Sequence, residues 1–189
     1  MAILQILKYP DPFLKSKAEP VTVVDEGIKG LIRDMTETMY YSRGIGLAAV
    51  QVGVNKRVIV LDVPDEEDEG DDGEGAPKRP ALDQRGKNLI ALINPEIIEA
   101  SGSVVFEEGC LSVPGQTADV ERAACVRVKA LNKDGQTIEV AADRLYAIAL
   151  QHEIDHLDGI LFIDRISRLK RELIKRRIRK AQESEEKAL

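Results

Sequence analysis

Asp143 to Gly159 reads DRLYAIALQHEIDHLDG, and the arrangement of the whole chain turns on it. Leu145, Ile148, Ala149, His152 and His156 fall at i, i+3, i+4, i+7 and i+11, a single stripe of an α-helix. Asp143 suits the N-cap and Gly159 the position just past the C-terminus, so the spacing predicts a helix ending near Leu157. Both histidines of the chain lie on this inward stripe, within His152-Glu153-Ile154-Asp155-His156. Residues four apart share a helix face, so two imidazoles can reach one metal ion while Glu153 sits beside them as a proton carrier.

The flanking sequence supplies strands for this helix to pack on. Arg57 to Val63 (RVIVLDV) is apolar and β-branched enough for a buried strand. Leu89 to Ile93 and Glu96 to Ala100 read as strands interrupted at Asn94-Pro95. Val120 to Leu131 alternates through Val126, Val128 and Ala130, and Asn132-Lys133-Asp134-Gly135 carries hairpin-turn chemistry ahead of a strand from Thr137 to Ala141. Further helices are predicted at Asp25 to Tyr41, with Ile28, Leu31, Ile32, Met35 and Met39 on one face, and from about Asp164 to Gln182. The expectation is an α+β fold, mostly antiparallel sheets packed around a central metal-binding helix, with N-terminal and C-terminal helices added. A length of 189 residues suits one domain over 1–189. Apolar runs such as Val58 to Leu61 and Ala147 to Leu150 are far shorter than the roughly 18–20 residues of a membrane span. The N-terminus lacks the pattern of a secretory leader, so a cytoplasmic protein is expected.

The formal charge of -6 conceals a strong segregation. Asp65 to Glu74 holds eight acids and no base; without them the net charge would be +2. With the glycines and prolines around it, the stretch 64–87 reads as a solvated, mobile acidic insertion acting as a spacer. Arg165 to Lys180 holds nine bases and one acid, a local +8. Its bases read as a solvated face or an RNA-phosphate surface, with Ile166, Leu169, Leu173 and Ile178 fastening the other side.

A catalytic divalent site usually takes three protein ligands, and the third could be a carboxylate or a cysteine. The two cysteines are too few for a disulfide scaffold and read as reduced thiols. Cys125, inside a strand pattern, reads as a small packed hydrophobe. Cys110 lies between Gly109 and Pro114 in a short irregular stretch that suits a ligand approaching a helix from the side. The segment Gly44-Ile45-Gly46-Leu47-Ala48-Ala49-Val50-Gln51 has the glycines of a dinucleotide fingerprint, but a helix precedes it where that motif needs a strand. Its paired glycines argue instead for a loop or extended segment with close backbone approach.

Taken together and in order, GIGLAAVQ (44–51), EGCLS (108–112) and HEIDH (152–156) resemble the motifs of the peptide deformylases. The resemblance extends to Tyr9-Pro10-Asp11-Pro12, to Ile93-Asn94-Pro95-Glu96 and to the C-terminal helix. It implies that Cys110, His152 and His156 bind one divalent metal ion, Fe²⁺ in the cell, with Zn²⁺, Ni²⁺ or Co²⁺ able to take its place. Glu153 would be general base and acid, and the Gln51 amide and Leu111 N–H would hold the developing oxyanion. Gly46 would bond the substrate backbone. Ile45, Phe106, Leu145, Ile148 and Ala149 would line a slot for a methionine side chain. The implied reaction removes the formyl group from N-formylmethionyl nascent chains and releases formate. A thiolate and two neutral imidazoles leave a divalent centre at +1, enough to lower the pKa of its water.

Two positions depart from the family pattern. Thr117 stands where an arginine is common, and Arg43 where an acid is common; both concern peptide contacts rather than hydrolysis. Arg122 matches a common family arginine and is expected to pair with Glu108. The resemblance also implies ribosome docking through the basic helix, with no membrane or DNA partner. One rival is a zinc endopeptidase using the same H-E-x-x-H, although its usual third ligand is a His or Glu and no third histidine exists. A second rival is a noncatalytic RNA-binding protein with a structural metal.

Overall fold

The structure, a computed structural model, describes residues 2–64 and 85–186. Most of the acidic stretch read as an insertion, 65–84, lies outside the described residues. The elements run α1 (Glu26–Tyr41), β1 (Gly46–Ala48), β2 (Val58–Asp62), β3 (Leu89–Ser101), β4 (Val104–Cys110), β5 (Val113–Arg122), β6 (Cys125–Leu131), β7 (Thr137–Asp143), α2 (Arg144–Leu157) and α3 (Arg168–Glu186). Short 3₁₀ turns occur at Pro12–Lys15, Ala49–Val52 and Phe162–Asp164. One sheet is ordered β1-β2-β3-β6-β7 and a second consists of β4 and β5. Every strand pairing within them is antiparallel, giving the expected α+β class.

Strand β2 is buried along its whole length because it has a helix on each face. Val58 and Val60 join Met35 and Met39 of α1 in one apolar cluster, and Ile59 and Leu61 join Leu150, Ile154 and Leu157 of α2 in another. A strand covered on both sides needs no polar alternation, which is why RVIVLDV is almost continuously apolar. Beyond β3 the covering is one-sided. Val126, Val128 and Ala130 of β6 face the α2 cluster while Cys125, Arg127 and Lys129 face outward. Helix α2 is therefore enclosed, with every residue from Ala147 to Leu157 buried.

Several local expectations are corrected. Asn94-Pro95 does not end a strand; it is an irregularity inside β3, where Asn94 has φ 52 and its side chain bonds both the N–H and the C=O of Val21. The run from Val120 to Leu131 is two strands in different sheets. The chain leaves one sheet for the other at Ala123-Ala124, where the Gln151 amide donates to Ala123 O and accepts from Ala123 N. The stretch around Cys110 is not irregular but a β4–β5 hairpin, with a register shift between Gly109 and Cys110. Gly44 to Gln51 contains the short strand β1 and then a 3₁₀ turn.

Cys125 is exposed rather than packed, because it begins β6 on the outward side. Asp143 occupies the N-cap of α2 but makes no side-chain capping bond, whereas Asp25 caps α1 by accepting from Ile28 N. The C-terminal helix starts at Arg168, after a 3₁₀ turn. Leu169 and Leu173 do not fasten it, being 73% and 46% exposed; Ile174 is buried, with Ile166 and Ile178 packed beside it.

Candidate metal centre and active site

Three segments bring the sequence motifs together. Helix α2 presents His152, Glu153 and His156, the end of β4 presents Cys110, and the 3₁₀ turn after β1 presents Gln51. Cys110 Sγ lies 3.3 Å from His156 Nε2, which lies 3.2 Å from His152 Nε2. Metal–nitrogen and metal–sulfur bonds of about 2.0–2.3 Å in a tetrahedron separate ligand atoms by about 3.3–3.6 Å. Those two separations match such a tetrahedron, and the three donor atoms, all within 4.8 Å of one another, are close enough to share one ion.

Their electrostatics fit it too. Burial, and after it the neighbouring His152, lower His156 well below the usual imidazole value, which favours its neutral ring. Burial would also lower His152, but hydrogen bonding to Cys110 and Glu108 outweighs it and raises that ring well above the usual value. A pocket that draws a proton onto a buried imidazole is short of positive charge, which a divalent cation supplies. His152 Nδ1 sits 2.8 Å from Glu108 Oε2, an arrangement that assigns the proton to Nδ1 and leaves the Nε2 lone pair for a metal.

Glu108 is itself clamped. Arg122 donates from Nε to Oε1 at 2.6 Å and from Nη2 to Oε2 at 2.9 Å, the pairing expected from sequence. Burial would raise this carboxyl, but Arg122 and His152 hold it at about 2. The third nitrogen of Arg122 donates to Asp155 Oδ2 at 2.5 Å, and Asp155 also receives a two-pronged contact from Arg165.

Glu153 has a different environment. Burial pushes its carboxyl up to about 7, and Oε2 is buried without a hydrogen-bond partner. The paired glycines now have a concrete reason. A Cβ on Gly46 would lie 2.9 Å from Glu153 Cδ and closer still to Oε1, and a Cβ on Gly44 would lie 2.8 Å from Leu111 Cδ1. The backbone of 44–46 thus passes where only glycine leaves room for the catalytic candidates.

Gln51 is held in one orientation. Its Oε1 accepts from Ala48 N at 2.8 Å, which turns Nε2 toward Ser112 Oγ at 3.2 Å and Cys110 Sγ at 3.5 Å. The Ser112 N–H also donates to Cys110 Sγ at 3.4 Å. Gln51 and Cys110 border a cavity of about 1050 Å³. Gly46, Gln51, Cys110, Leu111, His152 and Glu153 line it on the hydrolytic side, and Ile45, Phe106, Leu145, Ile148 and Ala149 supply its apolar wall. His156 lies deeper, behind the cavity surface, 1% exposed. Thr117 and Arg43, the departures from the motif pattern, are both at its rim, with the Thr117 hydroxyl donating to Glu107 at 3.1 Å.

Sequence reasoning missed three residues here. Lys8 donates to the Leu111 carbonyl at 2.5 Å and borders the cavity. Ser112 contacts both Gln51 and Cys110; its place inside EGCLS was the available signal. Asp155 lies inside HEIDH, yet nothing in the two-histidine spacing separates it from an ordinary solvated helix acid.

The chain is similar to known proteins along nearly its whole length. The family model described as Polypeptide deformylase matches residues 3–172. The peptide deformylase of Alkalilimnicola ehrlichii is 49% identical over 180 residues, covering 95% of this chain and 91% of that protein. That of Halothermothrix orenii is 51% identical, covering 92% and 100%. The crystal structure of a peptide deformylase from Legionella pneumophila superposes with a TM-score of 0.82 at 42% identity, covering 97% and 98%. A crystal structure of the Ehrlichia chaffeensis enzyme in complex with actinonin gives 0.81 at 40% identity, covering 96% and 98%. With its three motifs converging on one cavity and its likeness running through nearly its full length, the chain belongs to the peptide deformylase family, metal-dependent hydrolases that remove the N-formyl group from newly made peptides.

Proposed function

We propose that Cys110, His152 and His156 hold the divalent ion and that Glu153 moves the proton while the formyl C–N bond of an N-formylmethionyl peptide is hydrolysed. The observation that carries this reading is the convergence of three metal-type donors beside a buried carboxylate oxygen with no partner. A divalent ion held there would act as a Lewis acid and bring the pKa of a water toward neutrality. Glu153, with its carboxyl at about 7, is matched to take the proton of the attacking water and pass it to the leaving amine. The products are formate and a free methionine N-terminus.

Charge developing on the formyl oxygen would be met by the Gln51 amide and the Leu111 N–H. Loss of one such donor typically costs about 10²–10³ in rate. Gln51 is suited because Ala48 fixes its amide before substrate arrives. The Gly46 backbone would pair with the peptide, and Ile45, Phe106, Leu145, Ile148 and Ala149 would hold the methionine side chain, whose unbranched, polarizable form suits an apolar slot.

The family resemblance supports Fe²⁺ as the cellular ion, with Zn²⁺, Ni²⁺ or Co²⁺ as substitutes, a cytoplasmic location, and one catalytic domain over 1–189. It also supports docking of α3 on ribosomal RNA, to which its eight bases and one acid over residues 168–180 are suited. That docking predicts salt-dependent co-sedimentation with ribosomes that is lost on truncation after Ser167. No helix among the described residues is long and apolar enough to cross a membrane.

The catalytic assignment is tested by giving anaerobically prepared, Fe²⁺-loaded protein formyl-Met-Ala-Ser and measuring formate. Wild type should release formate, and Glu153→Ala should retain the metal yet lose at least about 10²-fold in kcat. Formate release undiminished by Glu153→Ala would overturn the role given to Glu153.

A further inference from the structure

Arg165 is one of the nine bases counted in the basic C-terminal run, and although its side chain is 40% exposed, its guanidinium is engaged by a buried carboxylate. It precedes α3, and its guanidinium turns inward to grip both oxygens of Asp155, from Nε to Oδ2 and from Nη2 to Oδ1. Asp155 is 7% exposed and lies on α2 three residues after His152 and one before His156. From Asp155 the contacts run to Arg122, from Arg122 to Glu108, and from Glu108 to His152 Nδ1.

We infer that Arg165 is a positioning residue for the metal site, fixing the orientation of His152 through Asp155, Arg122 and Glu108. The inference rests on His152 being a ligand, as proposed above.

Two features of the geometry support it. The first is orientation: Arg165 and Arg122 each meet a carboxylate with a two-pronged fork, so each link restricts the rotation of the next group and little slack remains along the chain. The second is charge balance. Arg122 and Arg165 offset Glu108 and Asp155 in number, so the network as a whole is neutral, with the Arg165 side chain, 40% exposed, at its outer end. Without Arg165, one guanidinium would face two carboxylates inside the protein. Arg122 would be drawn toward Asp155, its fork on Glu108 would open, and the carboxylate that sets the His152 ring would be free to turn. Outer partners of a metal ligand typically matter by 10–100-fold in affinity, and Arg165 stands farther out than the ring's direct partner, so an effect of about tenfold is expected.

The test uses the full-length chain loaded with Co²⁺, whose thiolate charge-transfer and ligand-field bands report the geometry of the site. Co²⁺ affinity is measured by chelator competition, and unfolding is followed in parallel. Arg165→Met should weaken Co²⁺ binding about tenfold and shift the visible spectrum. Arg165→Lys, which keeps the charge beside Asp155, should recover most of both. Arg168→Met is the control, since Arg168 is exposed and has no ion pair among the described residues; it should match wild type.

Arg165→Met with wild-type affinity and spectrum would overturn the inference. So would a loss of thermal stability with both unchanged, which is the mark of a purely structural contact. If wild type itself showed no thiolate-to-cobalt band, the ligand assignment would fall and this inference with it. An altered spectrum in Arg165→Met alone separates the two.

Discussion

Arg122 is 4% exposed and touches two carboxylates, both buried. Truncating it leaves Glu108 and Asp155 without that partner in a medium that solvates charge poorly. Breaking a buried pair from one side typically costs about 3–5 kcal/mol. Arg122→Ala should therefore lower the urea midpoint by a corresponding amount and weaken metal retention; a wild-type midpoint would show that the network is not what holds Glu108. At this scale the sequence was informative wherever a residue type has few structural uses. Two histidines four apart on an apolar stripe announced themselves by periodicity. Cys110 did not, because nothing in spacing alone ranks one cysteine over a carboxylate, and the family motif was needed. Arg165 was misread because composition counts charges without directions. A base at the start of a basic run looks the same whether or not its guanidinium also grips a buried aspartate.

At the scale of elements, the two ends of α2 make opposite demands. Gly159 has φ 73, and a Cβ there would run into the backbone carbonyl of Lys15. Left-handed backbone alone costs an ordinary residue about 1–2 kcal/mol, so Gly159→Ala should destabilise by at least that much in denaturant unfolding. Asp143→Ala should cost under about 0.5 kcal/mol, because the N-cap side chain makes none of the bonds that give a cap its usual value of about 1. Equal losses at the two ends would contradict this account of the helix. The same end-by-end view explains what the pattern of apolar residues could not deliver. The alternation through Val126, Val128 and Ala130 located β6 correctly. The change of sheet at Ala123-Ala124 depends on Gln151, which is distant in sequence, so no local window contains it. The β4–β5 hairpin was obscured because its charged and small residues, Glu107, Glu108 and Gly109, are there for the site rather than for β-propensity. In α3 the apolar positions were visible, but which of them meet the body of the protein depends on how the helix leaves the 3₁₀ turn.

For the whole molecule, charge matters by location rather than by sum. Asp62, at the end of β2, accepts from the Tyr40 hydroxyl at 2.6 Å, from Gly86 N at 2.7 Å and from Asn88 N at 3.1 Å. It thereby ties α1 to the chain that returns from the acidic segment into β3. Burial, and after it this bond and the Asp62 charge, raise the Tyr40 phenol above its usual value of 10.0. The folded state then holds the phenolic proton more tightly than the unfolded state does. Its contribution to stability is complete below pH of about 10 and is lost as pH rises through the higher folded value. The melting temperature of wild type should consequently fall more steeply above that pH than that of Tyr40→Phe, and parallel curves would remove Tyr40 from the alkaline transition. The fold class and the central helix were legible in sequence, since both rest on local periodicity; the slot beside the helix was an expectation carried by the family resemblance, because Ile45 and Phe106 come from other segments. The network behind His152 was only partly so, since it joins β4, β5, α2 and the segment before α3.

The proposed catalysis requires one metal ion between Cys110, His152 and His156. This requirement is tested most directly by anomalous diffraction at the iron edge from anaerobically grown crystals of Fe²⁺-loaded protein. A single strong peak is expected within about 2.0–2.4 Å of Cys110 Sγ, His152 Nε2 and His156 Nε2 together. A peak that lies elsewhere, or one that touches the two imidazoles but not the thiolate, would contradict it.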